Sequence, residues 1–396
     1  MKIMMLLIGH DFPPDIRVEK EARALLTAGH QVILICENRR DRSARENWKG
    51  VEIVRLPQLP LWIRRLNTAM LFITMHAPLW EQHIAKIVQL EKPDVLHVHD
   101  LPFVRPGLRI ARRFNMPLVA DLHENYPAWV QIRRAGVNRN PIEWLAFSPG
   151  RFARYEHQVL PHCDYVITVV KEASERIKNM GIDADKIVVV GNTEDIDAVS
   201  DVADRNIDLP PSDMIILYVG GFGPHRGLDV SIKAMPKILE QIPSAILVIV
   251  GDGPDRLSLE HLARRLGVVQ AIRFEGRQPF ARVHSYIQAS DVCLVPHIAN
   301  PHTNTTMPHK LFQYMYMKKP VVVSDAIPLA RVARTTGAGL IFESANFVSL
   351  AHCVLKLQDS TLRNKLGENG HDAVIERYSW RYDAQRLVEL YHTLAS

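Results

Sequence analysis

The sequence predicts an α/β protein of two domains, each a doubly wound parallel sheet with helices on both faces. Three observations carry this expectation. At 396 residues, the chain exceeds what one ordinary hydrophobic core encloses. Short apolar runs bounded by turn residues, the form of strands buried on both faces, alternate with helical periodicity from end to end. The composition, 47% hydrophobic and 23% charged, is that of a folded globular chain and not of a disordered one.

Residues 2–8 read as the first strand, and 17–28 as a helix closed by Gly29, with Val18, Ala22, Leu25 and Leu26 as its apolar stripe. The loop between them, 11–16, carries two prolines and leaves Arg17 at the helix start. There Arg17 either reaches a phosphate or an acceptor, or is plain surface charge. Residues 61–90 form a long apolar segment containing Trp62, Leu66, Met70, Phe72 and Trp80, with Arg64 and Arg65 alongside. Two readings stand: an interfacial helix on anionic lipid, which the net charge of +5 favours, or a helix packed on the first sheet. Strands 95–99 and 118–122 end at Asp100 and His123. The strand 186–190 and the turn Gly191-Asn192 end the first domain, residues 1–193; residues 194–211, rich in Asp and closing on Pro-Pro, are a linker. Within it Asp195-Ile196-Asp197 mimics a D-x-D metal motif and reads as solvated charge.

The second domain, 212–376, opens with the most informative stretch of the chain: L-Y-V-G-G-F-G-P-H-R-G, residues 217–227. An apolar strand, 214–219, is joined through four glycines to a helix whose apolar residues begin at Leu228. Such a turn aims backbone N–H groups and the positive helix end at one spot, where an anion is favoured. Gly221 and Gly223 allow close backbone approach, and Arg226 adds a forked contact. The spacing is neither a Walker loop nor the dinucleotide G-x-G-x-x-G. Downstream, strand 291–296, loop 297–308, helix 309–317 and strand 321–324 supply a second loop, with Thr303, Thr305 and Thr306, and with Lys310 and Gln313 one helical turn apart. Ligands of open parallel sheets collect at the carboxyl ends of strands. Two such loops can grip the two ends of a nucleoside diphosphate.

With F-P-P-D-I-R-V-E-K-E-A-R-A-L, P-D-V-L-H-V-H-D, V-A-D-L-H-E, Y-V-G-G-F-G-P-H-R-G, V-G-D-G-P, F-E-G-R and P-H-K-L-F-Q-Y-M in this order, the chain resembles the retaining glycosyltransferases of family 4, and its K-L-F-x-Y-M subgroup. The resemblance implies the GT-B fold, with two Rossmann-like domains facing each other across a cleft and a final helix, 380–396, crossing back onto the first. It implies transfer of a sugar from a UDP- or GDP-sugar to an acceptor hydroxyl with retention, no cofactor, no metal, and a saccharide or lipid-linked acceptor. Among site residues it points to His123 at the donor sugar, and weakly to Asp100 on the acceptor side. Donor binding falls on Gly221, Phe222, Gly223, Arg226, Gly251, Thr305, Thr306, Met307, Lys310 and Gln313, with the backbone of Arg277 and Gln278 at the base. Four positions depart from the family pattern. Gly221 stands where an arginine is usual, Arg226 where a lysine is usual, and Thr305 and Gln313 stand where two glutamates are usual. Those departures keep open a non-catalytic nucleotide-sugar-binding partner, and the shared fold keeps open an epimerase or phosphorylase. Surface polysaccharide or glycolipid assembly is the usual setting of such relatives.

The four cysteines, at 36, 163, 293 and 353, are scattered, which suits a reducing cytoplasm and argues against a structural zinc site. His97 and His99 share one face of a strand, but no further ligands stand near them in the sequence, so no metal is expected there. The basic balance lacks the aromatic-interleaved patches of a nucleic-acid binder. The first apolar run is too short for a signal peptide. The expectation is a cytoplasmic protein, peripheral to the membrane if residues 61–80 dock on it.

Overall fold

The computed structural model describes residues 1–135, 144, 146–197 and 207–395. Half of the linker expected at 194–211 therefore lies outside the described residues. The chain divides into two compact units, Met1–Gly191 with Arg381–Ser396, and Asn192–Trp380.

Among the described residues the first unit carries β1 (Lys2–Leu7), α1 (Ile16–Thr27), β2 (Gln31–Glu37), β3 (Arg45–Trp48), β4 (Val51–Leu56), α2 (Leu61–Thr74), α3 (Pro78–Glu91), β5 (Val95–His99), α4 (Val104–Phe114), β6 (Leu118–Leu122), α5 (Tyr126–Ala135), α6 (Pro149–Val159), β7 (Tyr165–Thr168), α7 (Lys171–Asn179) and β8 (Ile187–Val189). Its sheet runs β3-β4-β2-β1-β5-β6-β7-β8. All neighbours are parallel except β3 with β4. That pair adds one antiparallel strand at the edge of a parallel sheet, and the cause is local. Lys49 (φ 51°) and Gly50 (φ 90°) form a two-residue turn of positive φ, which joins antiparallel strands only. Met4, Leu6, Leu96, Val98, Leu118 and Ala120 are fully buried in the core under this sheet.

The apolar segment 61–90 is two helices. Met75 takes a left-handed conformation (φ 58°) that ends α2, and Pro78 starts α3 at a position where its missing N–H costs nothing. Leu71, Trp80, Ile84 and Val88 pack into the core, so the segment is anchored on its sheet. Its outer edge is not covered: Trp62 and Leu66 stay 68% and 56% exposed.

The second unit carries β9 (Ile215–Val219), α8 (Leu228–Leu239), β10 (Ile246–Val250), α9 (Arg256–Arg265), β11 (Ile272–Gly276), α10 (Phe280–Ala289), β12 (Val292–Val295), α11 (Lys310–Tyr316), β13 (Val321–Ser324), α12 (Ile327–Thr336), β14 (Gly339–Phe342), α13 (Phe347–Lys356) and α14 (Ser360–Arg377). Its sheet, β11-β10-β9-β12-β13-β14, is parallel throughout. The chain winds outward from β9 to one edge, then returns beside β9 with β12. The order reverses there, and the loops after β9 and β12 diverge at that switch point. A last helix, α15 (Trp380–Ala395), belongs to the first unit from Arg381 onward. Its Tyr391 is fully buried, with the hydroxyl 2.6 Å from His97 Nδ1.

Candidate active site

In the first unit the sheet order reverses between β1 and β5, and the loops beyond these strands and β6 surround a cavity of about 790 Å³ lined by Gly9, His10, Asp100 and His123 among others. His123 stands one residue past β6. Its Nε2 lies 2.9 Å from Asp121 Oδ2, and its Nδ1 lies 3.8 Å from Asp100 Oδ1. Burial opposes a charge on this imidazole, but Asp100 and Asp121 together outweigh it and push its pKa up to about 10. His123 is therefore an imidazolium at neutral pH: it can donate hydrogen bonds and carry positive charge, but it cannot accept a proton. Asp100 is brought beside it by a left-handed backbone (φ 66°), rare for a residue with a Cβ and of the kind found at constrained sites.

Behind His123 lies a buried ionic network. Asp121 is closed to solvent and receives Arg17 Nη2 at 2.8 Å, Arg17 Nε at 3.3 Å and His99 Nδ1 at 3.1 Å. Burial works against ionisation of Asp121, yet Arg17 and His123 hold its carboxyl well below the usual range. Glu21, one turn after Arg17, lies 2.9 Å from Arg17 Nη2; burial raises its carboxyl pKa against that attraction. Burial and His97 push His99 down to about 3, so it is neutral. Arg17 thus corrects the sequence expectation of a phosphate contact. Its guanidinium is committed to Asp121, Glu21 and the Val190 carbonyl at 3.0 Å, and it positions the histidine site from behind. The network corrects a second expectation, that nothing clusters with His97 and His99. Ligand atoms of Glu21, His97, His99 and Asp121 lie within 4.8 Å of one another. The positive charges facing them are those of Arg17 and His123.

The second unit is built differently. Lys310, the first residue of α11, is 9% exposed, and its ammonium has no hydrogen-bond partner. It sits 3.8 Å over the Tyr218 ring. Burial, then the charge of Arg226, drives its pKa well below the usual lysine value. Arg226 Nη1 lies 3.2 Å from His297 Nε2, and burial with both cations keeps His297 neutral. Among the described residues no carboxylate is within ion-pair distance of Arg226 or Lys310. Gly220 is what admits the lysine. Its φ is +139°, and a Cβ there would meet Lys310 Nζ at 2.6 Å.

The other expected donor residues divide. Among the described residues the backbone N–H groups of Gly221, Gly223, Thr306 and Met307 are free of internal hydrogen bonds. Phe222 and Thr305 correct the expectation: Phe222 N–H donates to Asp252 (3.2 Å) and Thr305 N–H to His302 (3.1 Å). The Thr305 hydroxyl donates to Pro301 O at 2.7 Å, and that of Thr306 to His302 O at 3.2 Å, so both brace their loop. Gly251 also serves the scaffold, because a Cβ there would fall 2.0 Å from Gly220 O. Gln313 is buried on α11 one turn beyond Lys310. At the end of β11 the Gln278 side chain donates to Glu275 O at 2.6 Å, and Arg277 is exposed. Sequence reasoning missed Tyr218, His225, His297 and His302. His225 and His302 pack edge to face, their centroids 5.4 Å apart, and burial with Arg226 pushes His225 down to about 3. Only the flanking motif residues hinted at this imidazole wall. Asp195, read as solvated charge, is 9% exposed beside the bridge between Glu194 and Ser379.

A family model described as glycosyl transferases group 1 matches residues 199–373, and one described as a glycosyl transferase 4-like domain matches residues 14–193. The chain is a group 1, family 4-type glycosyltransferase. This glycosyltransferase is 28% identical over 407 aligned positions to an uncharacterised glycosyltransferase of Methanocaldococcus jannaschii, covering 99% of this chain and 98% of that one. It shares its fold with sucrose-phosphate synthase from Thermosynechococcus elongatus, at a TM-score of 0.81 and 20% identity with both chains fully covered. A structure of Anabaena HepE in complex with UDP-glucose has a TM-score of 0.73 at 15% identity, covering 99% of this chain and 100% of that one. The fold is GT-B: two Rossmann-like parallel-sheet domains.

Proposed function

We propose that this glycosyltransferase moves a sugar from a nucleoside diphosphate donor, a UDP- or GDP-sugar, to an acceptor hydroxyl with retention at the anomeric carbon, and that its own cations do the work of a metal ion. The observation that carries this is the buried, unpartnered ammonium of Lys310 acting on the same imidazole as Arg226. Burial and Arg226 disfavour the charge of this lysine, and the counter-charge of a diphosphate would restore it. The free amides of Gly221, Gly223, Thr306 and Met307 would add donors around the leaving phosphate oxygens, where negative charge grows as the glycosidic bond breaks.

His123, held as an imidazolium, would orient the donor sugar and leave the acceptor proton to the departing phosphate oxygen. That assignment needs no pair of catalytic carboxylates such as a glycosidase uses. Asp100 would align the acceptor hydroxyl. The exposed Trp62 and Leu66, with Arg65 between them, support a peripheral contact with an anionic membrane face, the setting of surface polysaccharide or glycolipid assembly. Among the described residues no helix is long and apolar enough to cross a membrane.

Thermal unfolding with UDP and with GDP tests the donor site: a ligand that binds only the folded chain raises its apparent stability by about 2.7 kcal/mol at a hundredfold excess over Kd. A shift with one nucleotide, followed by NMR of the product showing the donor's anomeric configuration, supports the proposal. No shift with either sinks it, and binding without turnover favours the non-catalytic partner that Thr305 and Gln313 keep open.

A further inference from the structure

The cavity of the first unit contains a polar group that nothing among the described residues satisfies. Asn67, on the inner face of α2, is 2% exposed; neither its amide oxygen nor its nitrogen has a hydrogen-bond partner, and it lines the cavity. A buried amide without partners is unfavourable, whereas a leucine of similar volume would suit a core. One turn earlier Arg64 lines the same cavity, and i, i+3 spacing sets it on the same helix face as Asn67. Among the described residues Arg64 has no acidic partner, whereas Arg39 at the cavity rim is neutralised by Glu37 at 2.9 Å. Around them the walls are apolar and rigid: Leu71, Trp80 and Phe103, all in the cavity lining, are buried in the core.

We infer that the Arg64–Asn67 face of α2 reads the acceptor, and that the acceptor is an anionic amphiphile: a phosphate or carboxylate for Arg64, a hydroxyl for the Asn67 amide, and an apolar stem against Leu71, Trp80 and Phe103. The inference rests on the glycosyl-transfer reading above and adds the substrate class. An arginine supplies a forked pair of donors suited to an oxyanion. An amide offers one acceptor and two donors, the complement of a hydroxyl that both gives and receives. A bare sugar would bring no apolar stem to the Leu71, Trp80 and Phe103 side of the cavity, and a plain hydrocarbon would leave Arg64 and Asn67 unsatisfied.

The test is calorimetric titration of the full chain, without nucleotide, using three probes. Octanoyl lysophosphatidylglycerol below its micellar concentration carries the anion, hydroxyls and stem; glycerol 1-phosphate lacks the stem; octyl glucoside lacks the charge. The first is expected to bind at least about tenfold more tightly than either other, a difference of one good charge-assisted contact or a few buried methylenes. Arg64→Gln should erase the advantage over octyl glucoside. Asn67→Leu should weaken both hydroxyl-bearing amphiphiles about fivefold while raising the unfolding temperature, an opposition that a purely structural asparagine does not produce. Equal affinity for the three probes overturns the inference, as does unchanged binding in Asn67→Leu. UDP and GDP titrations of the same variants separate this from the donor reading. Loss of nucleotide binding in the parent chain defeats the donor assignment alone, and loss of probe discrimination defeats the acceptor assignment alone.

Discussion

The two units place charge at their switch points in opposite ways. In the first, Arg17, Asp121, Glu21 and His123 are linked by contacts of 2.8 to 2.9 Å, with each cation beside an acid. In the second, Arg226 and Lys310 stand together with neutral imidazoles and, among the described residues, no acid within ion-pair distance. The difference assigns the roles: a balanced network holds a group in one protonation state and orientation, while an unbalanced pair of cations is stable only at a cost that an anion relieves.

Breaking the balanced network should have the largest effect. Asp121→Asn leaves Arg17 buried without its main counter-charge, and an expected loss of about 3–5 kcal/mol would be read from urea unfolding. The cationic pair should behave the opposite way. Lys310→Met removes a charge that burial disfavours, so stability of the ligand-free chain should hold or rise, while the rate of UDP or GDP release from donor and acceptor falls about 10²–10³-fold, as when one stabiliser of leaving-group charge is lost. A fall in both stability and rate would make Lys310 structural and erase the contrast. Gly220→Ala sharpens the same point. Its Cβ would collide with Lys310 Nζ, and its positive φ adds about 1–3 kcal/mol of strain, so nucleotide affinity and stability should drop together.

The smallest effect is a titration. With its pKa raised to about 10 from an unfolded value near 6.5, His123 contributes stability that is fully present below pH 6.5 and is lost as pH rises through about 10. Imidazole carbon shifts should show it protonated at pH 8, and Asp100→Asn should move its midpoint toward neutrality. A His123 midpoint near 6.5 in the unmutated chain would remove the balanced network from the comparison.

Much of the scaffold was legible because it is local. Strands 95–99, 118–122 and 321–324 were readable from short apolar runs, and the glycine-rich turn from its clustered glycines before Leu228. The helix boundary at Met75 was not, since a left-handed methionine leaves no compositional mark. Lys310 was visible as a motif residue, but its burial without an acid among the described residues was not.

The alternation of apolar runs, the punctuating glycines and prolines, and the ordered motifs were enough to determine two parallel-sheet domains and a glycosyltransferase. Only the tertiary structure decided what the charges do. Arg17 meets Asp121 across 104 positions and Val190 across 173, and His97 meets Tyr391 across 294. A periodic pattern reports which face of its own element is apolar. The energy of a charge depends on burial and on neighbours that folding delivers from elsewhere in the chain, so basic side chains join a closed ion network in one unit and, among the described residues, meet no carboxylate in the other.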